Sequence, residues 1–330
     1  MMILQLFING VALLRNTLYQ LNIISKQSFD IPIVSIGNIS MGGTGKTPMV
    51  AWVCQKLMSS NIRPCIITRG YKRKSSDMII VHPNKKNKYI VDDVGDEPFD
   101  LLKKLPGISM VIHKNKSEAI KNAISVLDVD VIILDDGFQS LYINRDIDIA
   151  LLNHKNKNVL NREPYTSLNR ADVIIFNDSK NLSKFKSFIN QKIDGNKALQ
   201  LTMKKNPFIN LKNKPKAPLL AVSGIANSDS FYTSLMDQKI KVVKHLQYKD
   251  HHNYSKKDMN KIYQFIEKME CKGIITTSKD YYKLKKLNVK NVKIYRLDID
   301  LIPVNDDAIA ANELINKIKK IVWPQNQKIL

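Results

Sequence analysis

The residues with the clearest chemical content are Ser40-Met41-Gly42-Gly43-Thr44-Gly45-Lys46-Thr47. An apolar run, Ile31–Ile36, precedes them, and a helical pattern opened by Thr47 and Pro48 follows. Glycines in such a turn let backbone N–H groups face a polyphosphate, and the helix start adds the positive end of its dipole. Lys46 would then reach the β- and γ-phosphates, and the Thr47 hydroxyl would sit on Mg²⁺. Ser40 stands where the phosphate-loop pattern begins with glycine. About 90 residues downstream, Val131-Ile132-Ile133-Leu134-Asp135-Asp136 is an apolar strand ending in acid. A carboxylate at that strand tip, Asp135 or Asp136, is expected to hold the metal directly or through water. Thr277-Ser278-Lys279-Asp280 lacks the residue that a guanine signature needs, so ATP is the expected nucleotide.

Three further clusters could complete a site. Arg69-Gly70-Tyr71 ends a strand, on the edge where doubly wound sheets place ligands. Gly95-Asp96-Glu97-Pro98 puts two carboxylates before a helix, and Asp250-His251-His252 groups an acid with two imidazoles. A carboxylate paired with a histidine can take the proton of a sugar hydroxyl. Each cluster also has a plain reading, since an acid before a helix commonly caps it.

These residues need elements to hold them. Short apolar runs at Ile31–Ile36, Arg63–Thr68, Met78–Val81, Gly107–His113, Val129–Leu134, Asp146–Leu152 and Asp172–Asn177 alternate with helical stretches such as Pro48–Ser59 and Lys116–Leu127. Buried strands separated by helices predict an α/β fold resembling phosphate-loop NTPases, with a mostly parallel sheet covered on both faces. A Pro- and Lys-rich stretch then reads as a linker, and a second, smaller α/β set follows from Leu219. The expected organisation is 1–24 as an amphipathic helix, 25–205 as the nucleotide-binding domain, 206–218 as linker and 219–330 as a C-terminal α/β domain.

The first residues, Met1–Leu14, are nearly all apolar and are followed by Arg15. Such a run is shorter than the roughly 20 residues a bilayer requires. On a helix, Leu4, Phe7, Ile8, Val11, Leu14 and Leu18 fall near one face. That face predicts a helix lying in one leaflet, anchored by Arg15 and Lys26, or else one packed on the protein's own core. The chain carries 52 Lys and Arg against 30 Asp and Glu, a net charge of +22. An anionic membrane, a phosphorylated substrate and nucleic acid all fit that field. The basic residues are dispersed with few aromatics among them, so no nucleic-acid partner is expected. Three cysteines without a CxxC pair signal neither a disulfide framework nor zinc.

Taken together, Gly37-Asn38, Gly42-Gly43-Thr44-Gly45-Lys46-Thr47-Pro48, Arg69-Gly70-Tyr71, Gly95-Asp96-Glu97-Pro98, Asp135-Asp136-Gly137-Phe138-Gln139 and Asp250-His251-His252 resemble the tetraacyldisaccharide 4′-kinase family. Arg162-Glu163-Pro164, Gly224-Ile225 and Lys279-Asp280 extend the likeness across nearly the whole chain. The resemblance implies two α/β/α domains with the active site in the cleft between them. It implies transfer of the ATP γ-phosphate to the 4′-hydroxyl of a tetraacyldisaccharide 1-phosphate, giving lipid IVA in lipid A synthesis. It further implies Asp96 as catalytic base with His251 as its partner, and Asp135 and Asp136 as the Mg²⁺ pair. Arg69, Tyr71, Gln139 and Lys116 are expected against the substrate, with the enzyme peripheral on the cytoplasmic face of the inner membrane and no obligate protein partner. A membrane-associated ATPase switch is the alternative. Departures from the family's pattern are Ser140, Lys116 in place of an arginine, Ser278, and a short Asn153–Asn161 segment.

Overall fold

The computed structural model describes residues 2–40, 44–71, 73, 75–83, 89–153, 160–177, 181–193, 198–209, 215–225, 227–304 and 307–323. In chain order the elements are α1 (Met2–Gln20), β1 (Ile33–Asn38), α2 (Lys46–Met58), β2 (Pro64–Thr68), β3 (Ile79–Val81), α3 (Val91–Val94), α4 (Asp96–Lys104), β4 (Ser109–Ile112), α5 (Lys116–Val126), β5 (Val131–Asp135), β6 (Ile147–Leu152) and β7 (Val173–Asn177). They continue with α6 (Leu182–Lys192), β8 (Leu199–Ile209), β9 (Leu219–Ser223), α7 (Ser228–Asp237), β10 (Val242–Gln247), α8 (Lys256–Lys268), β11 (Ile274–Thr277), α9 (Ser278–Leu287), β12 (Ile294–Pro303) and α10 (Ala308–Val322). A 3₁₀ turn, Tyr165–Arg170, precedes β7.

The chain divides into two compact units, Met1–Lys205 with Leu301–Leu330, and Asn206–Asp300. The strands of the first unit run in the order β8-β7-β6-β1-β5-β2-β4-β3. The pairings of β1 with β5 and β6, and of β2 with β4 and β5, are parallel, and β3 is antiparallel to β4. Strands β1, β2, β4, β5, β6 and β7 are buried at every position. Two-sided burial of Val- and Ile-rich strands is what a parallel sheet between helical layers requires. On one face, Ala119, Ile120 and Ala123 of α5 pack with Ile67, Val111, Ile132 and Leu134. Elsewhere Phe185 and Ile189 of α6 join Phe138, Ile174 and Phe176. Each of the Ile, Val, Leu and Phe side chains contributes about 1.5–3 kcal/mol when fully buried.

In the second unit the order is β10-β9-β11-β12, parallel where paired. Phe231 and Leu235 of α7 pack with Leu219, Ala221 and Ile275, while Met259, Ile262 and Leu284 of α8 and α9 pack with Leu220, Val222 and Ile274.

Two boundaries differ from the expected ones. The linker expected at 206–218 begins inside β8, which runs to Ile209, and residues 210–214 lie outside the described residues. Residues 301–330, expected in the second domain, belong to the first unit. The reason is apolar spacing: Ala311, Leu314, Ile315 and Ile318 form one buried stripe of α10, which packs on α2.

The apolar face of α1 does not enter the core. Leu6, Phe7 and Leu14 are 63%, 69% and 63% exposed, whereas Ala12 and Asn16 are buried. No helix among the described residues is long and apolar enough to cross a membrane.

Candidate active site

The chain leaves β1 for β2 on one side, with β5 between them, and passes from β5 to β6 across β1. That reversal opens a crevice at the carboxyl ends of the central strands. Asn38 ends β1, Thr68 ends β2, Asp135 ends β5 and Asn177 ends β7. Each of these polar residues is buried, and their partners account for the loop between them.

Gly45 caps α2 with φ +90°, in the left-handed region that glycine adopts without strain, and Lys46 opens the helix. Asn38 Nδ2 donates to Thr44 Oγ1 at 2.8 Å, and Asn177 Nδ2 donates to the Thr44 carbonyl at 2.7 Å. Two strand ends therefore hold the loop at Thr44. Lys46 Nζ lies 3.4 Å from Asn38 Oδ1 and 3.2 Å from Asp136 Oδ1. Ser40, the departure from the usual phosphate-loop glycine, pairs by an antiparallel bridge with Asn161. Met41, Gly42 and Gly43 lie outside the described residues.

The two acids sit in opposite electrostatic settings. Asp135 is 5% exposed and accepts from Thr68 Oγ1 at 2.9 Å. Burial, then repulsion from Glu97 and Asp136, pushes its carboxyl up to about 6, against the attraction of Lys116. Burial also works against Asp136, but Lys46 and Arg162 outweigh it and hold that carboxyl down at about 2. Arg162 meets Asp136 at 2.9 Å. Asp136 takes φ +51°, uncommon for a residue with a side chain.

Lys116 is placed differently from the expectation. Its ammonium is buried and donates to the carbonyls of Asp135 and Asp136, both at 2.7 Å. Burial lowers its pKa to about 8, against the pull of Asp135 and Asp136. It therefore pins the turn that carries the acids. Gln139 likewise donates to the Asn38 carbonyl at 2.8 Å.

Arg69 and Tyr71 are exposed beyond the end of β2. Gly95 joins their loop to the start of α4: with φ +92°, a Cβ there would lie 3.1 Å from the Tyr71 carbonyl. Asp96 and Glu97 open α4, and Glu97 lies near enough to the strand-end acids for its repulsion to raise Asp135.

In the second unit, His251 takes φ +58°, its N–H donates to the Gly224 carbonyl at 3.0 Å, and its Nε2 lies 4.0 Å from Asp250. His252 stacks on Tyr248 and meets Asp258, the acid of the Ser255 capping box on α8. Asp280 accepts from the Gly224 N–H and from Thr277 Oγ1, both at 2.8 Å, which makes Thr277–Asp280 a helix start and not a base-reading motif.

Arg162 and Glu97 belong with the site although neither is among the residues expected to act. Both stood in quoted motifs, and an acid or arginine beside a marked residue was the available signal. Asn38 stood in the quoted Gly37-Asn38 pair, while Thr68 and Asn177 gave no signal beyond their places at strand ends.

The family model described as LpxK, tetraacyldisaccharide-1-P 4′-kinase, matches residues 1–319. A tetraacyldisaccharide 4′-kinase of Pelodictyon phaeoclathratiforme is 32% identical over 295 residues, covering 82% of each chain. One from Aquifex aeolicus is 31% identical over 288 residues, covering 82% of this chain and 85% of the relative. Among solved structures, the "apo" form LpxK from Aquifex aeolicus in complex with ATP has a TM-score of 0.74 at 25% identity, covering 97% of this chain and 98% of that one. Matched along almost its whole length, this chain belongs to the tetraacyldisaccharide-1-P 4′-kinase family.

Proposed function

We propose that this chain transfers the γ-phosphate of ATP to the 4′-hydroxyl of tetraacyldisaccharide 1-phosphate, with Asp96 taking the hydroxyl proton. The observation that carries the reading is the meeting of Lys46, Asp136 and Arg162 at the carboxyl edge of the sheet, beside the start of α2. Two cations held on one acid at a phosphate loop are placed to exchange that acid for phosphate oxygens as charge develops there. Lys46 and the backbone amides of 43–47 would take the phosphate charge. Ser40, with Met41, Gly42 and Gly43 of the same sequence motif, would take part in binding the phosphates. Arg69 and Tyr71 are the exposed groups offered to the disaccharide, and the resemblance alone supplies the role of His251 in orienting Asp96.

The residues fit a divalent cation. Burial first, then the neighbouring Glu97 and Asp136, lets Asp135 hold its proton up to about 6, and a cation beside it would favour the ionised carboxylate. Among the described residues no cluster of three or more His, Cys, Asp or Glu forms a self-sufficient cage. Magnesium typically takes one or two carboxylates and completes its shell with phosphate and water. Thr47 and Asp135 would hold Mg²⁺, with Asp136 beside them, and the ion would neutralise charge on the β- and γ-phosphates.

The outward apolar face of α1 supports a peripheral seat on the cytoplasmic face of the inner membrane, where the acyl chains of the glycolipid are buried. The test is transfer of labelled γ-phosphate from ATP to tetraacyldisaccharide 1-phosphate in mixed micelles. Wild type should label the lipid, and Asp96→Ala should lose about 10²–10⁴-fold in rate. ATP hydrolysis without label on the lipid would sink the kinase reading in favour of an ATPase switch.

A further inference from the structure

Helix α1 is held to the first unit by its polar stripe. Gln5 Nε2 donates to the Asn161 carbonyl at 3.0 Å, and Gln5 Oε1 accepts from the Asn161 N–H at 2.8 Å. Three turns along, Arg15 donates to Glu163 Oε1 at 3.0 Å, and Asn16 Nδ2 donates to Glu163 Oε2 at 3.0 Å and to Ser167 Oγ at 2.9 Å. Arg170 meets Glu163 at 2.8 Å, and the Glu163 side chain has no exposed surface. Arg15, expected as a lipid anchor, is thus committed to a buried carboxylate.

The neighbours of Glu163 in the chain, Asn161 and Arg162, face the phosphate site. Asn161 bridges to Ser40, and the Arg162 N–H donates to the Ile39 carbonyl at 2.6 Å. The Arg162 guanidinium donates to both carboxylate oxygens of Asp136, at 3.1 and 2.9 Å. Adjacent residues therefore serve two partners: Arg162 grips the acid, and α1 grips Glu163.

We propose that Glu163 is a positioning residue through which the seating of α1 sets Arg162 on Asp136. The helix that presents an apolar stripe outward is then a working part of the phosphate site, an inference that rests on the kinase reading of that site. A buried carboxylate is strongly disfavoured without its cations, and Glu163 is held between Arg15 of α1 and Arg170 of the 3₁₀ turn, so an unseated α1 takes away one of its two cations and its Asn16 donor. Any shift of Glu163 is inherited by Arg162 through one peptide bond and by Ser40 through Asn161. The two faces of α1 should consequently control different constants. The polar stripe (Gln5, Arg15, Asn16) sets the rate of the chemical step, and the apolar stripe sets access to lipid.

The test uses the full chain and the micellar transfer assay, reading kcat, KM for the glycolipid and thermal melting. Glu163→Gln and Asn16→Ala should each lower kcat about 10- to 100-fold, the range expected when a positioned group is misplaced, with the lipid KM unchanged. Arg15→Ala should act in the same direction, and Arg15→Lys should restore most of the loss. Phe7→Ser should raise the lipid KM and leave kcat at saturating lipid intact. In an Arg162→Ala background, Glu163→Gln should cost less than about twofold more, because both act through one contact. A full, additive effect in that background overturns the proposal, as does an effect confined to melting or to KM. If Glu163→Gln does not fold, Asn16→Ala combined with Arg162→Ala carries the same cycle. Failure of the kinase reading itself would be visible separately, as absence of labelled lipid with wild type.

Discussion

Asp135 and Lys116 show how much one buried position can demand. The Asp135 carboxyl rises from 3.8 to about 6 on folding. Between those values the folded chain binds more protons than the unfolded one, so stability falls as pH rises through the window and the loss is complete above it. Asp135→Asn removes that penalty while keeping an oxygen for Thr68. The variant should melt higher than wild type at pH 7.5 without Mg²⁺ or nucleotide, by roughly 2–4 °C for each kcal/mol gained. At pH 4 the two should melt alike, and phosphate transfer should be lost. Thermal scans at both pH values decide it; an equal difference at each would remove the electrostatic account. Lys116 makes the opposite case. Lys116→Met leaves two carbonyls without their donor, at a cost of about 1–3 kcal/mol for each unsatisfied group. Urea unfolding should register that loss. A variant of unchanged stability with only a raised lipid KM would return Lys116 to the substrate contacts expected of it.

At the scale of elements, α1 is the informative case. A 3.6-residue period predicted one apolar face, and the structure leaves Leu4, Phe7, Val11 and Leu14 on the outside. Gln5, Asn9, Ala12 and Asn16 make up the side toward the body. Apolar spacing shows that a helix is two-sided but not which side a neighbour will take. Paired hydrogen bonds to Asn161 and Glu163 decided that here. Exposed leucines contribute little to folding of the isolated chain. Leu6→Ser with Phe7→Ser should therefore change the unfolding free energy by under about 1 kcal/mol and weaken sedimentation with vesicles. A large loss of stability would mean that this face packs on the protein.

The whole molecule carries +22, and any anionic surface will feel it. Binding to vesicles containing anionic phospholipid should fall steeply between about 50 and 500 mM salt, as the screening length shrinks from roughly 14 to 4 Å. The part due to the apolar face of α1 should persist on neutral vesicles. Salt-insensitive binding to both would assign attachment to the apolar face alone. The two-unit division also shows what chain order hides. Apolar spacing marked both α/β sets, but the chain returns to the first unit at Leu301, where the last residues of β12 lead into α10 and its buried stripe packs on α2.

The sequence by itself determined the phosphate loop, the acid-tipped strand and the alternation of buried strands with helices. Each of these depends on neighbours in the chain: glycine spacing, a lysine opening a helix, runs of Val and Ile. Strands β1, β5, β6 and β7 end within two or three residues of their expected limits. Only the tertiary structure decided the rest, because those decisions lie between residues far apart. The pressure of Glu97 on Asp135, the turn of Lys116 toward two carbonyls and the grip of Arg162 on Asp136 come from burial and charge at the meeting of strand ends. Local spacing says which residues can do chemistry. The field that sets their charge is made by the residues the fold brings to them.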